Sequence, residues 1–236
     1  MWQDGLPVPA GFCVTADEAD DFDLPQLDRA LTTLETRNVA VRSSATLEDA
    51  STASFAGIYV TRLNVVGAEN VAEALREIRR SAFAPAAARY SKRQNVEERS
   101  DMAAVVQAFV AAEVSGVIST GDVLNVEASW GLGESIVAGL VTPDRWTLSR
   151  GGATISSCVA DKDIAVVASE NGGTKQIKVH PEQRRRPCLG SDSLQQLFEL
   201  ALQCHDLFGV AQSIEWAIES NKVWALQSRP ITGKST

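Results

Sequence analysis

The sequence predicts an α+β fold on three observations. Short apolar runs rich in β-branched residues and helical stripes both occur, yet they do not alternate strictly, which argues against a doubly wound parallel sheet. At 236 residues the chain is long enough for one large domain or two small lobes. Its 44% apolar content, with 16 glycines and 8 prolines, is that of a globular protein rather than a disordered one. Two lobes are expected, residues 1–110 and 111–236.

The elements follow in chain order. Residues 5–14 read as a turn leading into a short apolar strand. From Leu24 to Thr36, Leu27, Leu31 and Leu34 recur at helical spacing. Val39–Ser43 is a short buried strand and Ile58–Val65 a half-buried one. Asn70–Asn95 is a helix, because Val71, Leu75, Ile78 and Ala82 form a stripe with charges between them. Met102–Val110, Val114–Ser119 and Leu124–Ala128 are β-rich runs that precede a glycine-rich turn at Gly131–Glu134. Arg145–Leu148, Ala153–Ala160 and Gln176–Val179 are expected as strands of a second sheet. Ser191–Phe208 is a helix with Ser191, Asp192 or Ser193 to cap its start, an apolar stripe at Leu194, Leu197, Phe198 and Ala201, and Gly209 to stop it. Ser213–Ile218 and Lys222–Gln227 form a hairpin with Glu219–Asn221 at its turn.

Composition narrows the function. A net charge of −8 argues against nucleic acid or an anionic membrane as the partner, and Arg184–Arg186 is too short a basic run to reverse that. No apolar run approaches the roughly 20 residues that cross a bilayer. Met1–Asp4 lacks the basic and apolar regions of a signal peptide. Cys13, Cys158, Cys188 and Cys204 lack zinc-ligand spacing and read as reduced thiols, so a cytoplasmic location is expected. There is no Walker A loop, no GxGxxG between strand and helix, and no GxSxG elbow. His205 reads as a structural histidine on its helix, and His180 as a solvent-facing one before Pro181.

Two polar groupings stand where apolar residues would be the cheaper choice. Arg42, Ser43 and Ser44 follow directly from the Val39–Val41 strand, with Glu48 and Asp49 beyond. An arginine there is costly unless it meets an anion. Near the other end, Glu215 lies inside an apolar run, and Gln227 and Arg229 follow the hairpin turn. A tight hairpin can bring Glu215 and Gln227 onto one face. A carboxylate and an amide oxygen make a partial shell for Mg²⁺, and Arg229 beside them would neutralise a phosphoryl group. A structural salt bridge from Glu215 to an arginine is the competing reading of the same residues.

Ordered motifs bear on that choice. Val41–Asp49 resembles the VRSSAxxED signature of the phosphoenolpyruvate synthase, pyruvate phosphate dikinase and rifampin phosphotransferase group. Ser54–Gly57, Thr61 and Leu63–Val65 resemble the stretch that follows it. Ala104–Gln107, Ser115–Val117, Glu127–Glu134 with Val141–Asp144, Ile214–Ala217 and Leu226–Thr232 continue the series in family order, so the resemblance spans nearly the whole chain. It implies an ATP-grasp-type nucleotide-binding fold, two lobes with a cleft between mixed sheets. It further implies that Arg42 and Arg229 contact ATP phosphates with Thr61 nearby, and that Gln107 and backbone groups around Phe109 lie at the adenine. Glu215 and Gln227 would hold Mg²⁺. The Gly131–Gly133 turn reads equally as a close-approach loop and as a packing turn.

The match also departs from the pattern. The glycine-rich GGKGASL element, whose lysine contacts phosphate, has no counterpart in these residues. The segment between Phe12 and Val41 is shorter than usual. After Ser119–Asp122 the usual proline and longer loop are missing, and Ser213 stands where an aspartate is expected. Neither His180 nor His205 has the threonine-serine-histidine context of the family's phosphate carrier. The expectation is therefore an Mg²⁺–ATP-dependent phosphotransferase, or its nucleotide-binding subunit. It would use an unidentified small-molecule acceptor directly or a separate phosphohistidine carrier. The alternative is a degenerate module that binds nucleotide or a partner without catalysis.

Overall fold

The structure, a computed structural model, describes residues 1, 3–16, 22–45, 60–81 and 102–231. The chain divides into two units. The first contains Ala10–Phe109 with Ser169–Thr174, and the second Met1–Pro9, Val110–Ala168 and Lys175–Ile231.

The first unit is built on β1 (Gly11–Val14), α1 (Leu24–Thr33), β2 (Asn38–Ala45), β3 (Thr61–Val66), α2 (Ala68–Ser81) and β4 (Met102–Ala108). Its sheet has the strand order β1-β4-β2-β3. Pro25 opens α1, where its missing N–H costs nothing. In α2, Val71, Leu75 and Ile78 are fully buried and share one apolar cluster with Val39, Val41 and Val106 of the sheet. That stripe is the one the spacing predicts, and it reaches Ser81; the remainder of the expected Asn70–Asn95 helix lies outside the described residues.

The second unit contains β5 (Val114–Ser119), β6 (Leu124–Trp130), α3 (Glu134–Val137), β7 (Asp144–Leu148), β8 (Thr154–Cys158), β9 (Ile164–Ala168), β10 (Thr174–Lys178), α4 (Pro181–Arg184), α5 (Ser191–Phe208), β11 (Gln212–Glu219) and β12 (Lys222–Pro230). Six strands form one sheet in the order β12-β11-β5-β6-β7-β8. This corrects the expectation of a separate second sheet for β7 and β8: they extend the sheet begun by β5 and β6. Only β10 stands apart, paired with β9, a strand that periodicity alone did not reveal. Helix α5 covers one face of the large sheet, with Leu197, Leu200, Ala201 and Cys204 packed among Ile118, Val126, Ile214 and Trp216. Strand pairings in both larger sheets are antiparallel rather than mixed in direction.

One local detail differs from expectation. The N-cap of α5 is Gly190, which has no capping side chain; Ser191 instead donates to Asp192 at 3.2 Å. The helix stops at Gly209 (φ 67°), whose N–H returns to the His205 carbonyl at 2.8 Å. At the glycine-rich turn, a Cβ on Gly131 would stand 2.2 Å from the Val166 carbonyl oxygen. The Gly131 and Leu132 amides already donate, to Glu113 and Val166, each at 2.8 Å. Packing against β9 is therefore what this turn serves.

The four cysteines are free thiols, Cys13 and Cys158 exposed, Cys188 and Cys204 buried. Burial pushes Cys204 up to about 11, and burial with the nearby Asp144 charge raises Cys188 further. A thiol-specific reagent at neutral pH is expected to label Cys13 and Cys158 rapidly and to reach the other two only in denaturant; rapid native labelling of Cys188 would contradict the packing. The sign of the pH effect follows from the raised values. The unfolded thiols ionise around 9.0 while the folded ones stay protonated. Their contribution to stability is thus complete below that pH and declines as pH climbs toward about 11.

Candidate active site

The hairpin of β11 and β12 turns on Ser220 and Asn221, both with positive φ (51° and 61°), the geometry of a tight two-residue turn. Pairing from that turn runs Ile218 to Val223, Ala217 to Trp224 and Trp216 to Ala225. Continued regularly, it would set Leu226 opposite Glu215 and Gln227 opposite Ile214, in the apolar core. A bulge intervenes between Glu215 and Trp216: Leu226 is absorbed, and Gln227 becomes the partner of Glu215. Beyond it, Ser213 pairs with Arg229 and Ile214 with Ser228.

Directly opposed residues in an antiparallel pair share a face. Trp216 and Ile214 face the core with α5, so Glu215, Gln227 and Arg229 lie together on the other face. In the orientation that satisfies the Gln227 amide, its oxygen accepts from Arg229 Nε at 2.9 Å and Nη2 at 2.6 Å. On the core side Ser228 donates to Gln212 Oε1 at 2.8 Å. All three site residues are half-buried. One carboxylate and one amide oxygen are hard donors that suit Mg²⁺, which commonly completes its shell with waters and phosphate oxygens. Both lone pairs of the Gln227 oxygen are engaged by Arg229 in this orientation, so holding the ion would require Arg229 to release one of its two bonds.

The same face continues across the sheet. Glu215 pairs with Val117, Val117 with Glu127, and Glu127 with Arg145. Arg145 Nε donates to Glu127 Oε1 at 2.8 Å. The neighbouring row runs from Arg229 through Ser213, Ser119, Asn125 and Thr147 to Ser156, with no further charge.

In the first unit Arg42 pairs with Thr61 on one side and Val105 on the other. Gln107 pairs with Ala40 and Gly11. Since Val39, Val41 and Val106 face the core, alternation places Arg42, Thr61 and Gln107 on the opposite face. Gln107 is buried, Arg42 half-buried and Thr61 exposed. Phe109 is half-buried, and its N–H donates to the Asn38 carbonyl at 2.9 Å, as that of Ala108 does to Ala10 at 2.7 Å. Those two amides are occupied within the backbone. Glu48, Asp49 and Ser54–Gly57 lie outside the described residues.

Two polar centres escaped the sequence reading. Asn64 is fully buried and donates to the Ser169 and Gly173 carbonyls at 2.8 and 2.7 Å. The other is Asp144 with Lys162, both wholly buried, with Nζ 2.6 Å from Oδ1. Asp144 also accepts from the Ala160 and Cys188 amides, at 2.8 and 3.0 Å. Flanking Asp161 and Asp163 made Lys162 look solvated; nothing in its local pattern marks it as buried.

The chain is thus an α+β protein with one arginine-bearing and one carboxylate–amide–arginine-bearing sheet face. It belongs to the family described as pyruvate phosphate dikinase, AMP/ATP-binding domain, whose model matches residues 24–236. The probable phosphoenolpyruvate synthase of Methanocaldococcus jannaschii is 34% identical over 98% of this chain and 24% of its own length. A rifampicin phosphotransferase from Streptomyces sp is 39% identical over 82% of this chain and 23% of its own. The prodigiosin synthesizing transferase PigC of Serratia marcescens is 34% identical over 97% and 30% respectively. The chain therefore spans about a quarter to a third of the length of these relatives. Among solved structures, the D-alanine-D-alanine ligase from Coxiella burnetii aligns over 98% of this chain and 44% of its own, with 12% identity and a TM-score of 0.46. The architecture of helices and several sheets accords with the ATP-grasp-type fold that the sequence resemblance implies. Among the described residues, no helix is long and apolar enough to cross a membrane.

Proposed function

We propose that this chain is the Mg²⁺–ATP-binding module of a phosphotransferase. The observation that carries the reading is the bulged register of β11 and β12, which sets Glu215 opposite Gln227 with Arg229 next on the same face. Family membership supports the nucleotide. Glu215 and Gln227 hold Mg²⁺, which when bound neutralises phosphate charge. Arg42 and Arg229 bind phosphate oxygens through bidentate, charge-assisted hydrogen bonds, and Thr61, beside Arg42, adds a hydroxyl donor. Gln107 reads the adenine with its side-chain amide. Phe109 adds apolar contact, its own N–H being spent on Asn38. No side chain of this chain acts as a covalent nucleophile; the residues position the nucleotide and stabilise charge on the transferring group.

The relatives' names cover a phosphoenolpyruvate synthase, a rifampicin phosphotransferase and a prodigiosin-synthesizing transferase. The acceptor therefore differs among the relatives, and here a small molecule or a phosphohistidine carrier protein receives the phosphoryl group. ADP as product would indicate direct transfer, and AMP with phosphate the carrier route.

The test is a calorimetric titration of Mg²⁺–ATP into the folded chain and its Arg42→Ala and Glu215→Ala variants. Each substitution is expected to weaken binding at least tenfold, about 1.4 kcal/mol. Variants that melt like the wild type and bind as well as it does would refute the assignment. Binding without turnover in the presence of any acceptor would leave only the non-catalytic module.

A further inference from the structure

We propose that Glu127, held by Arg145, receives the proton of the phosphoryl acceptor. The inference rests on the nucleotide reading above. Its starting point is the register of the exposed sheet face. Strand β12 is the sheet edge, so Gln227 and Arg229 stand at that edge, with Glu215 one strand inward. Moving further inward along the same row, the next residue is the small apolar Val117 and the next is Glu127. Toward β8, Glu127 is the only carboxylate at a register-paired position of this face.

The spacing suits the role. Adjacent strands lie about 4.8 Å apart, which places Glu127 about 10 Å from Glu215 along the sheet. An attacking atom must approach the reacting phosphorus to about 3–3.5 Å and its base to about 2.6–3.2 Å. With the phosphate tail on the β11–β12 end, an acceptor seated over Val117 meets both requirements from opposite sides. Arg145 engages the carboxylate: its Nε bond of 2.8 Å is to Oε1, and the proton is received at Oε2.

In the step itself, a lone pair of the acceptor forms the new bond to phosphorus. The bond from phosphorus to the leaving phosphate oxygen breaks, and its electron pair departs with the nucleotide product. The acceptor's proton passes to Glu127 and from there to solvent. The charge of Glu127 also selects the class of acceptor. A neutral nucleophile with a dissociable proton, a hydroxyl or an imidazole, is welcomed, whereas a carboxylate is repelled.

The experiment compares the full chain with Glu127→Gln, which keeps shape and removes the charge. Mg²⁺–ATP affinity is measured by calorimetry. Transfer to glycerol and to free imidazole, each as a separate probe, is followed by phosphorus NMR. The expected result is an unchanged melting midpoint, Mg²⁺–ATP binding within twofold of wild type, and transfer slowed about a hundredfold. A loss with glycerol alone identifies a hydroxyl acceptor, and with imidazole alone an imidazole acceptor. Glu127→Gln working at the wild-type rate overturns the proposal, as does a wild type that binds Mg²⁺–ATP yet phosphorylates neither probe. Failure of the wild type to bind Mg²⁺–ATP is a different outcome: it removes the nucleotide reading, and this one falls with it.

Discussion

Lys162→Met is expected to destabilise the second unit by about 3–5 kcal/mol, the cost of leaving one partner of a buried ion pair uncompensated. Both side chains are wholly inaccessible, and their contact is 2.6 Å. The lysine ammonium also donates to the Ala160 carbonyl at 3.0 Å. Asp144 ties together the start of β7, the Ala160–Lys162 segment and the Cys188 amide, so its charge must be balanced in place. Methionine matches the lysine stem and supplies no charge. Adding Asp144→Asn removes the orphaned charge while keeping an acceptor for one amide, so the double variant should recover more than about 1 kcal/mol. Urea unfolding of the four proteins of this cycle makes the measurement. A loss below about 1 kcal/mol in the single variant would mean that water reaches the pair.

Gly116→Ala should cost about 3 kcal/mol, at the upper end for overpacking by a single methyl. Gly116 lies mid-strand in β5, opposite Trp216 of β11 and Ala128 of β6. A Cβ there would stand 1.8 Å from the Glu127 carbonyl oxygen and 2.7 Å from Trp216 Cζ2. The first neighbour is backbone and cannot rotate away, so β5 and β6 must part. That displacement falls beneath Glu215 and Glu127, and Mg²⁺–ATP affinity should drop along with the unfolding midpoint. Gly151→Ala is the control. Its nearest neighbour is Ser149 Oγ at 3.8 Å, and a change within about 0.5 kcal/mol is expected. Equal costs at the two positions would show that glycine entropy, not strand contact, explains Gly116.

Legibility in the sequence followed how locally each feature is encoded. Helix α5 was readable because its stripe, its length and its stop at Gly209 all lie within the segment itself. Strand β9 was not, since Ile164–Ala168 is a short apolar run that periodicity cannot assign. The buried pair of Asp144 and Lys162 joins residues separated by a loop and a strand, and each carries the charge of a surface residue. The candidate site residues stood out as costly polar side chains within apolar strands, and their order along the chain resembled one family.

By itself the sequence determined the α+β class, the family, and which polar residue types stand within its apolar strands. Tertiary structure decided which of those residues meet. Alternation counted from the Ser220–Asn221 turn would send Gln227 and Arg229 into the core beside Ile214. Burying an amide and a guanidinium there costs several kcal/mol, about 2–7 for the amide alone on transfer scales. One extra residue absorbed at Leu226 avoids that cost and turns both side chains to the face that carries Glu215. A two-residue repeat cannot report such a shift, because the bulge depends on what the neighbouring strand and helix α5 have already buried.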